Sequence, residues 1–253
     1  VILTAENGVE LGGIIMEDLT LYPNVHYIVR SPFGISDGVT LTLKPGVKID
    51  FKGGKLSLAK NAKLIAHGKP DSLIVFNAGI FYLNADTLKY CKFENADCRN
   101  FFSGSTSFEN VIIVNNKASG SVGSIVSMFT FRSIVKSNIT NTYAPDMGYN
   151  GGLIQATTAT HNNFCNNYSR GAVVTGSDYQ RAGINNNIVN NGRHFSSSGS
   201  SIEVIDVPQY WGSNRENIIR QKFENELLYI YVINFSENTK NICTLLNSPK
   251  FEF

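Results

Sequence analysis

The middle of this chain is poor in the groups that hydrolytic chemistry requires. Between residues 111 and 200 the acidic side chains are Asp146 and Asp178, more than one period of the repeat described below apart. A glycoside hydrolase needs two carboxylates at a fixed separation across one bond. A calcium site needs several oxygen ligands, most of them carboxylates. Two acids so distant, at different phases of the repeat, argue against both, although backbone oxygens could still contribute to a cation site. Asp178, with Arg181 shortly after it, reads as a loop ion pair. A lyase whose base is Arg or His, working without calcium, stays open. The sequence therefore leaves catalysis undecided and leans towards none.

The other reactive side chains of this region are aromatic and cationic. Lys117, Tyr143 and Tyr168 each lie two positions past an Asn of a recurring pattern. Arg170 and His194 lie four past one, with Arg193 adjacent to His194. If the repeats stack, these residues form a column on one edge, within the loops 117–124, 143–152, 168–171 and 192–201. Sugar rings stack on Tyr, and uronic carboxylates pair with Arg. Such a column suits an acidic polysaccharide or a host or cell-surface glycan. The plainer alternative is a set of solvated loop side chains on adjacent turns.

Little else points to chemistry. His26, His67 and His161 are isolated in sequence and read as surface or turn residues. Cys91, Cys98, Cys165 and Cys243 form no CxxC pair and have no His at zinc-ligand spacing, so they read as small buried apolar residues. A Cys91–Cys98 disulfide is allowed by spacing but not established by it. Phosphate-binding glycine loops, Ser-His-Asp spacing and heptads are missing. No cofactor or metal is expected. Asn138, Asn167 and Asn234 start glycosylation-type triplets of the kind that arise by chance in an Asn-rich chain.

The recurring pattern is an apolar residue, any residue, then Asn: Phe93-Glu94-Asn95, Ile113-Val114-Asn115, Ile139-Thr140-Asn141, Phe164-Cys165-Asn166 and Ile188-Val189-Asn190. The asparagines recur at slightly unequal steps of some two dozen positions, and Asn116, Asn167 and Asn191 directly follow three of them. Such a period fits one coil of a parallel β-helix, in which residues one period apart are stacked neighbours. The five apolar residues then form one interior row. Asn95, Asn115, Asn141, Asn166 and Asn190 form a ladder at a turn, where Asn tolerates unusual backbone angles and can bond to the Asn above. A leucine-rich repeat has a similar period but needs regular Leu and a helix or straight segment, which are absent. Upstream, residues 39–43, 47–51, 56–58, 64–66 and 73–76 alternate apolar and polar between turns such as Lys44-Pro45-Gly46 and Lys52-Gly53-Gly54. That is the mark of short strands with one buried face.

The expected fold is thus all-β, a single-stranded right-handed parallel β-helix over residues 31–200. Residues 1–30 form an N-terminal cap and residues 201–253 a C-terminal cap. The latter holds Trp211, a short helix over 214–223 and a strand over 228–235. A cap is needed because the end of a solenoid exposes its core and strand edges. Composition agrees: 42% of residues are hydrophobic and only 17% charged, with net charge +2. No basic cluster offers a nucleic-acid footprint, and no apolar run is long enough to span a membrane. The chain begins at Val1 with no leader-like segment, so a mature chain freed of any export signal is expected.

Gly38-Val39-Thr40-Leu41-Thr42-Leu43-Lys44-Pro45-Gly46-Val47, the stretch from Ala62 to Phe76, and Cys91-Lys92-Phe93-Glu94-Asn95 together resemble bacterial right-handed β-helix surface proteins of the pectate-lyase-like superfamily. The resemblance covers roughly residues 25 to 200, and the Pro-Gln-Tyr-Trp-Gly segment at 208–212 with its helix resembles the tail of some of them. It implies the fold and an extracellular or cell-surface location. It does not imply one function, because that family is diverse. A glycan-binding or display module is expected, with a polysaccharide lyase or hydrolase and a structural spacer of a larger protein as alternatives. Oligomeric state stays open.

Overall fold

The structure is a computed structural model. It describes residues 2–4, 8–82, 85, 87–96, 106–117, 127–144, 152–165, 167–169, 172–175, 186–189 and 209–210. Trp211, the helix expected over 214–223 and the strand over 228–235 lie outside the described residues.

Every described element is a strand. The first eight are β1 (Ile2–Thr4), β2 (Gly8–Ile15), β3 (Leu19–Leu21), β4 (His26–Ile35), β5 (Thr40–Leu43), β6 (Lys48–Phe51), β7 (Lys55–Leu58) and β8 (Lys63–His67). Then come β9 (Ile74–Asn77), β10 (Ile80–Tyr82), β11 (Thr87–Lys89), β12 (Cys91–Glu94), β13 (Ser107–Glu109), β14 (Ile112–Val114), β15 (Ser127–Val135) and β16 (Asn138–Thr140). The chain continues with β17 (Tyr143–Ala144), β18 (Gly152–Thr160), β19 (Asn163–Cys165), β20 (Tyr168–Ser169), β21 (Ala172–Thr175), β22 (Asn186–Val189) and β23 (Gln209–Tyr210).

From β3 onward the chain winds between two sheets. One runs β1-β2-β4-β6-β9-β12-β14-β16-β19-β22-β23, with β7 paired to β4 and β10 to β7 beside that path, and the other runs β3-β5-β8-β11-β13-β15-β18-β21; β17 and β20 pair separately. Among the described strands every pair is parallel apart from β1 on β2. The protein is a parallel β-solenoid. Its parallel stack already begins at β2, within the stretch expected to be the N-terminal cap.

Why these residues form this fold follows from their alternation. In β8 the buried residues are Leu64 and Ala66 and the exposed ones Lys63, Ile65 and His67. Inward residues then stack coil on coil. Phe93 pairs with Ile113, Ile113 with Ile139, Ile139 with Phe164 and Phe164 with Ile188, so the five apolar residues form one continuous row. The row extends back through Phe76 and Ile49. Phe93 and Phe76 stack with ring centroids 4.6 Å apart, and Phe93 meets Phe108 of the opposite sheet edge-on at 5.8 Å. Burial of such a ring stabilises the fold by roughly 1.5–3 kcal/mol, and each ring pair adds about 0.5–1.5 kcal/mol.

The corners have their own chemistry. Two recur in successive coils, each marked by one residue with positive φ. Tyr90, Asn110, Lys136 and His161 turn the chain into β12, β14, β16 and β19, whereas Asn95, Asn115 and Asn141 turn it out of β12, β14 and β16. Asn adopts this left-handed region more readily than most residues. The next residue points inward and is buried: Cys91, Val111, Ser137 and Asn162 at the first corner, and Ala96, Asn116, Thr142 and Asn167 at the second. Close coil-to-coil approach also explains Gly54. A Cβ there would lie 2.5 Å from Val29 Cγ1 and 2.6 Å from the Val29 carbonyl oxygen.

Candidate functional site

The edge that carries the aromatic and cationic side chains is the second corner. Lys117 forms a parallel bridge to Tyr143, and Tyr143 pairs in register with Tyr168 as Ala144 does with Ser169. Lys117, Tyr143 and Tyr168 therefore occupy one stacked column at strand spacing, about 4.8 Å. Lys117 is exposed, and Tyr143 keeps 53% of its surface open, one of the few large apolar side chains among the described residues to do so. The main chain fixes the column. The Lys117 N–H donates to the Ala96 carbonyl at 2.8 Å, and the Tyr143 N–H donates to that of Asn116 at 2.9 Å. Arg170, Arg193 and His194 lie outside the described residues, as do Asn166 and Asn190.

The residues that hold this corner rigid are not ones that spacing alone singles out. Asn116 Oδ1 accepts the Ala96 N–H at 2.9 Å, and its Nδ2 donates to the carbonyls of Val114 at 3.0 Å and Phe93 at 3.3 Å. Asn167 acts similarly in a later coil, accepting the Thr142 N–H at 3.0 Å and donating to the Ile139 carbonyl at 2.8 Å. The first corner uses the same device: Asn162 accepts the Ser137 N–H and donates to the Ile134 carbonyl, both at 2.9 Å. A buried corner N–H without a partner would cost about 1–3 kcal/mol. An inward amide from the next coil supplies the missing acceptor. The doubled Asn is the signal that could have found them.

The Asn of the recurring pattern, one position before the inward residue, has a different role. Asn95, Asn115 and Asn141 are exposed and carry φ of 59°, 55° and 53°. Asn141 Nδ2 donates to Asn115 Oδ1 at 3.3 Å, while Asn95 Nδ2 donates back to Asn77 Oδ1 at 2.9 Å. Two of the three glycosylation-type asparagines, Asn138 and Asn167, are buried and bonded, so the folded chain cannot present them.

Other polar groups fall into place away from the column. His26, isolated in sequence, is paired: its Nε2 lies 2.7 Å from Asp50 Oδ2, and Asn77 Nδ2 donates to Asp50 Oδ1 at 2.7 Å. Partial burial raises the Asp50 pKa, but the bonds from Asn77 and His26 outweigh it and hold the carboxyl below its ordinary value. Both Asp50 oxygens are thus engaged in a network on the outer face of the sheet. Cys91 is a free thiol, so the Cys91–Cys98 bridge that spacing allows is not formed. Burial pushes that thiol far up, and it donates to the Ala66 and Lys89 carbonyls. Cys165 is disulfide-bonded, which departs from the reading of all four cysteines as small apolar residues. Among the described residues no group of three His, Cys, Asp or Glu could hold a metal ion, and no helix is long and apolar enough to cross a membrane.

The class these features define is an all-β parallel β-solenoid with a stacked corner column, exposed at Lys117 and Tyr143. Set against known proteins, the chain matches no family model, no curated protein and no solved structure.

Proposed function

We propose that this solenoid is an extracellular or cell-surface module that binds glycans along the Lys117–Tyr143–Tyr168 column, without catalysing a reaction on them. The observation that carries the reading is the in-register stacking of Lys117, Tyr143 and Tyr168 on successive coils. Phenol rings offer apolar faces to the C–H faces of sugars, and their hydroxyls can hydrogen-bond to sugar oxygens. The Lys117 ammonium at the end of the column favours a carboxylated or sulfated chain. Backbone geometry holds the column in advance of binding, which reduces the ordering cost of association. The disulfide at Cys165 supports an oxidising, extracytoplasmic location, as does the resemblance to bacterial β-helix surface proteins.

A glycan array that includes acidic polysaccharides tests this. The intact chain is expected to bind, and Tyr143→Ala with Tyr168→Ala is expected to lower binding at least tenfold without changing the thermal midpoint. A blank array, or a double variant that binds like its parent, would refute the reading. Release of reducing ends or unsaturated sugars would replace it with an enzyme.

A further inference from the structure

The outer face of the second sheet carries two columns of different chemistry. Thr42, Ile65 and Thr87 alternate with the buried Leu41, Leu43, Leu64, Ala66 and Leu88 and so face outward. Register extends this column from Thr20 through Thr42, Ile65, Thr87 and Ser107 to Ser133. Every member except Ile65 bears a hydroxyl, one per coil. Two positions further along each strand runs a column of Tyr22, Lys44, His67, Lys89, Glu109 and Val135. The Lys44 N–H donates to the Leu21 carbonyl at 3.1 Å, which carries the register of β3 and β5 one step past their ends. Both columns follow the axis for five strand spacings, about 24 Å.

The second column is cationic. Lys44 and His67 are exposed, as is Lys63, which pairs with Thr40 in a third column. Among the described residues no ion pair engages any of these three. Glu109, the acid of the two columns, is matched by Lys89 at 2.6 Å. Asp18, beside Thr40, accepts the Thr40 N–H at 2.8 Å. Between residues 44 and 69 the chain carries seven lysines, each exposed, against Asp50 alone. They lie several positions apart and form no run in sequence. Coiling puts Lys44 and Lys63 on this face, with Lys69 in the turn after His67, so its potential is positive. The tyrosine column is elsewhere: the chain leaves the second sheet over the first corner, crosses the first sheet and only then reaches the second corner.

We propose that the outer face of the second sheet binds a sulfated polysaccharide laid along the solenoid axis. A planar carboxylate is matched by the two-pronged guanidinium of Arg, whereas an ammonium is a point charge that serves an oxyanion from any side. The unpaired cations here are lysines, and the His67 ring and the hydroxyl column add further donors. A tetrahedral sulfate ester, with oxygens on several sides, suits that set better than a carboxylate does. Sugar hydroxyls between the sulfates meet Thr20, Thr42 and Thr87, whose hydroxyls both donate and accept. Single-stranded nucleic acid is held by aromatic stacking as well as by charge, and from Thr42 to Val135 neither column holds an aromatic ring. This surface does not depend on the reading of Tyr143 and Tyr168.

Binding of the full chain to dextran sulfate, compared with carboxymethyl-dextran of equal charge density, tests it. Dextran sulfate is expected to bind more tightly than its carboxylated counterpart, and to weaken as sodium chloride rises. Lys44→Gln with Lys63→Gln and His67→Gln should lower its affinity about tenfold, as the loss of three exposed charge contacts implies. Lys48→Gln with Lys52→Gln and Lys55→Gln removes at least as much charge from the side of β6 and β7 and should leave affinity nearly unchanged. Tyr143→Ala with Tyr168→Ala should leave it unchanged, which separates this surface from the second corner. In the parent chain, dextran sulfate should protect Lys44 and Lys63 from acetylation but not Lys48 and Lys52, a readout that needs no variant to fold. Absence of binding, equal affinity for the two dextrans, equal losses in the two triple variants, or single-stranded DNA bound as tightly as dextran sulfate would each overturn the proposal.

Discussion

Replacing Asn116 with Ala removes one side chain from the interior corner and strips partners from three backbone groups. The Ala96 N–H loses its acceptor, and the carbonyls of Phe93 and Val114 each lose a donor. The N–H is left buried without a partner, at about 1–3 kcal/mol, and each carbonyl forfeits roughly 0.5–1.5 kcal/mol. The Val114 carbonyl keeps the Asn95 N–H at 3.4 Å, so its loss sits at the lower end. The expected destabilisation is about 2–5 kcal/mol, a large part of the roughly 5–15 kcal/mol that holds a typical domain. Asn115, its neighbour, is the control. It is exposed at φ 55°, so Asn115→Ala costs about 1 kcal/mol of left-handed strain, and Asn115→Gly removes that strain. Asn116→Asp keeps the acceptor but not the donor and buries a charge, so it is expected to be no milder than Ala. Urea denaturation followed by far-ultraviolet circular dichroism reads all four. Ordinary surface substitutions stay within about 0.5 kcal/mol of neutral. If Asn116→Ala and Asn115→Ala differ by no more than that, the corner amides do not bridge the coils and the reasoning fails.

Three other perturbations probe the fold elsewhere. Gly54→Ala drives a Cβ against Val29 and the Ser31 carbonyl; a cost of about 1–3 kcal/mol is expected by the same denaturation assay, and a neutral result would contradict the tight approach of these coils. Asp50 has a depressed pKa when folded, so the stability it contributes is present above the ordinary carboxyl range and lost as pH falls through its folded pKa. Asp50→Asn should therefore lower stability at neutral pH and flatten its decline below about pH 4, and an unchanged acid limb in the melting profile would count against the His26–Asp50–Asn77 network. Cys91, buried with a raised pKa, should resist alkylation in the native protein and react at once in denaturant; native labelling would show that the core is open.

The stacking is legible in the sequence because one residue type at one phase recurs despite coils of unequal length. The uneven steps from Asn95 to Asn115, Asn141, Asn166 and Asn190 match the register steps from Phe93 to Ile113, Ile139, Phe164 and Ile188. Corners and loops absorb the unequal lengths, while strand pairing keeps the row straight. The same phase brings Lys117, Tyr143 and Tyr168 together. What phase cannot supply is which way a corner residue points. It places Asn95, Asn115 and Asn141 at one turn, but only the structure shows that their positive φ leaves them exposed and sends the following residue into the core. The His26–Asp50 pair is hidden because it lies upstream of the asparagine pattern, although the two residues are 24 apart, one coil length.

The scarcity of acids between residues 111 and 200 has a second reading that only the fold reveals. It argues against a hydrolase pair, because such chemistry needs two carboxylates near one bond. Yet it also coincides with the coils whose outward positions are buried. Lys92 and Glu94 stand where the sheet meets water, and Asn138, Thr140, Asn163 and Cys165 stand at the same phases where it does not. An unpaired carboxylate at any of the latter would be desolvated on both sides of the sheet. Cover alone therefore accounts for the loss of charge on that face. The second corner, by contrast, stays open to solvent at Lys117 and Tyr143, where an acid would carry no such cost. Its described column consists of a lysine and two tyrosines.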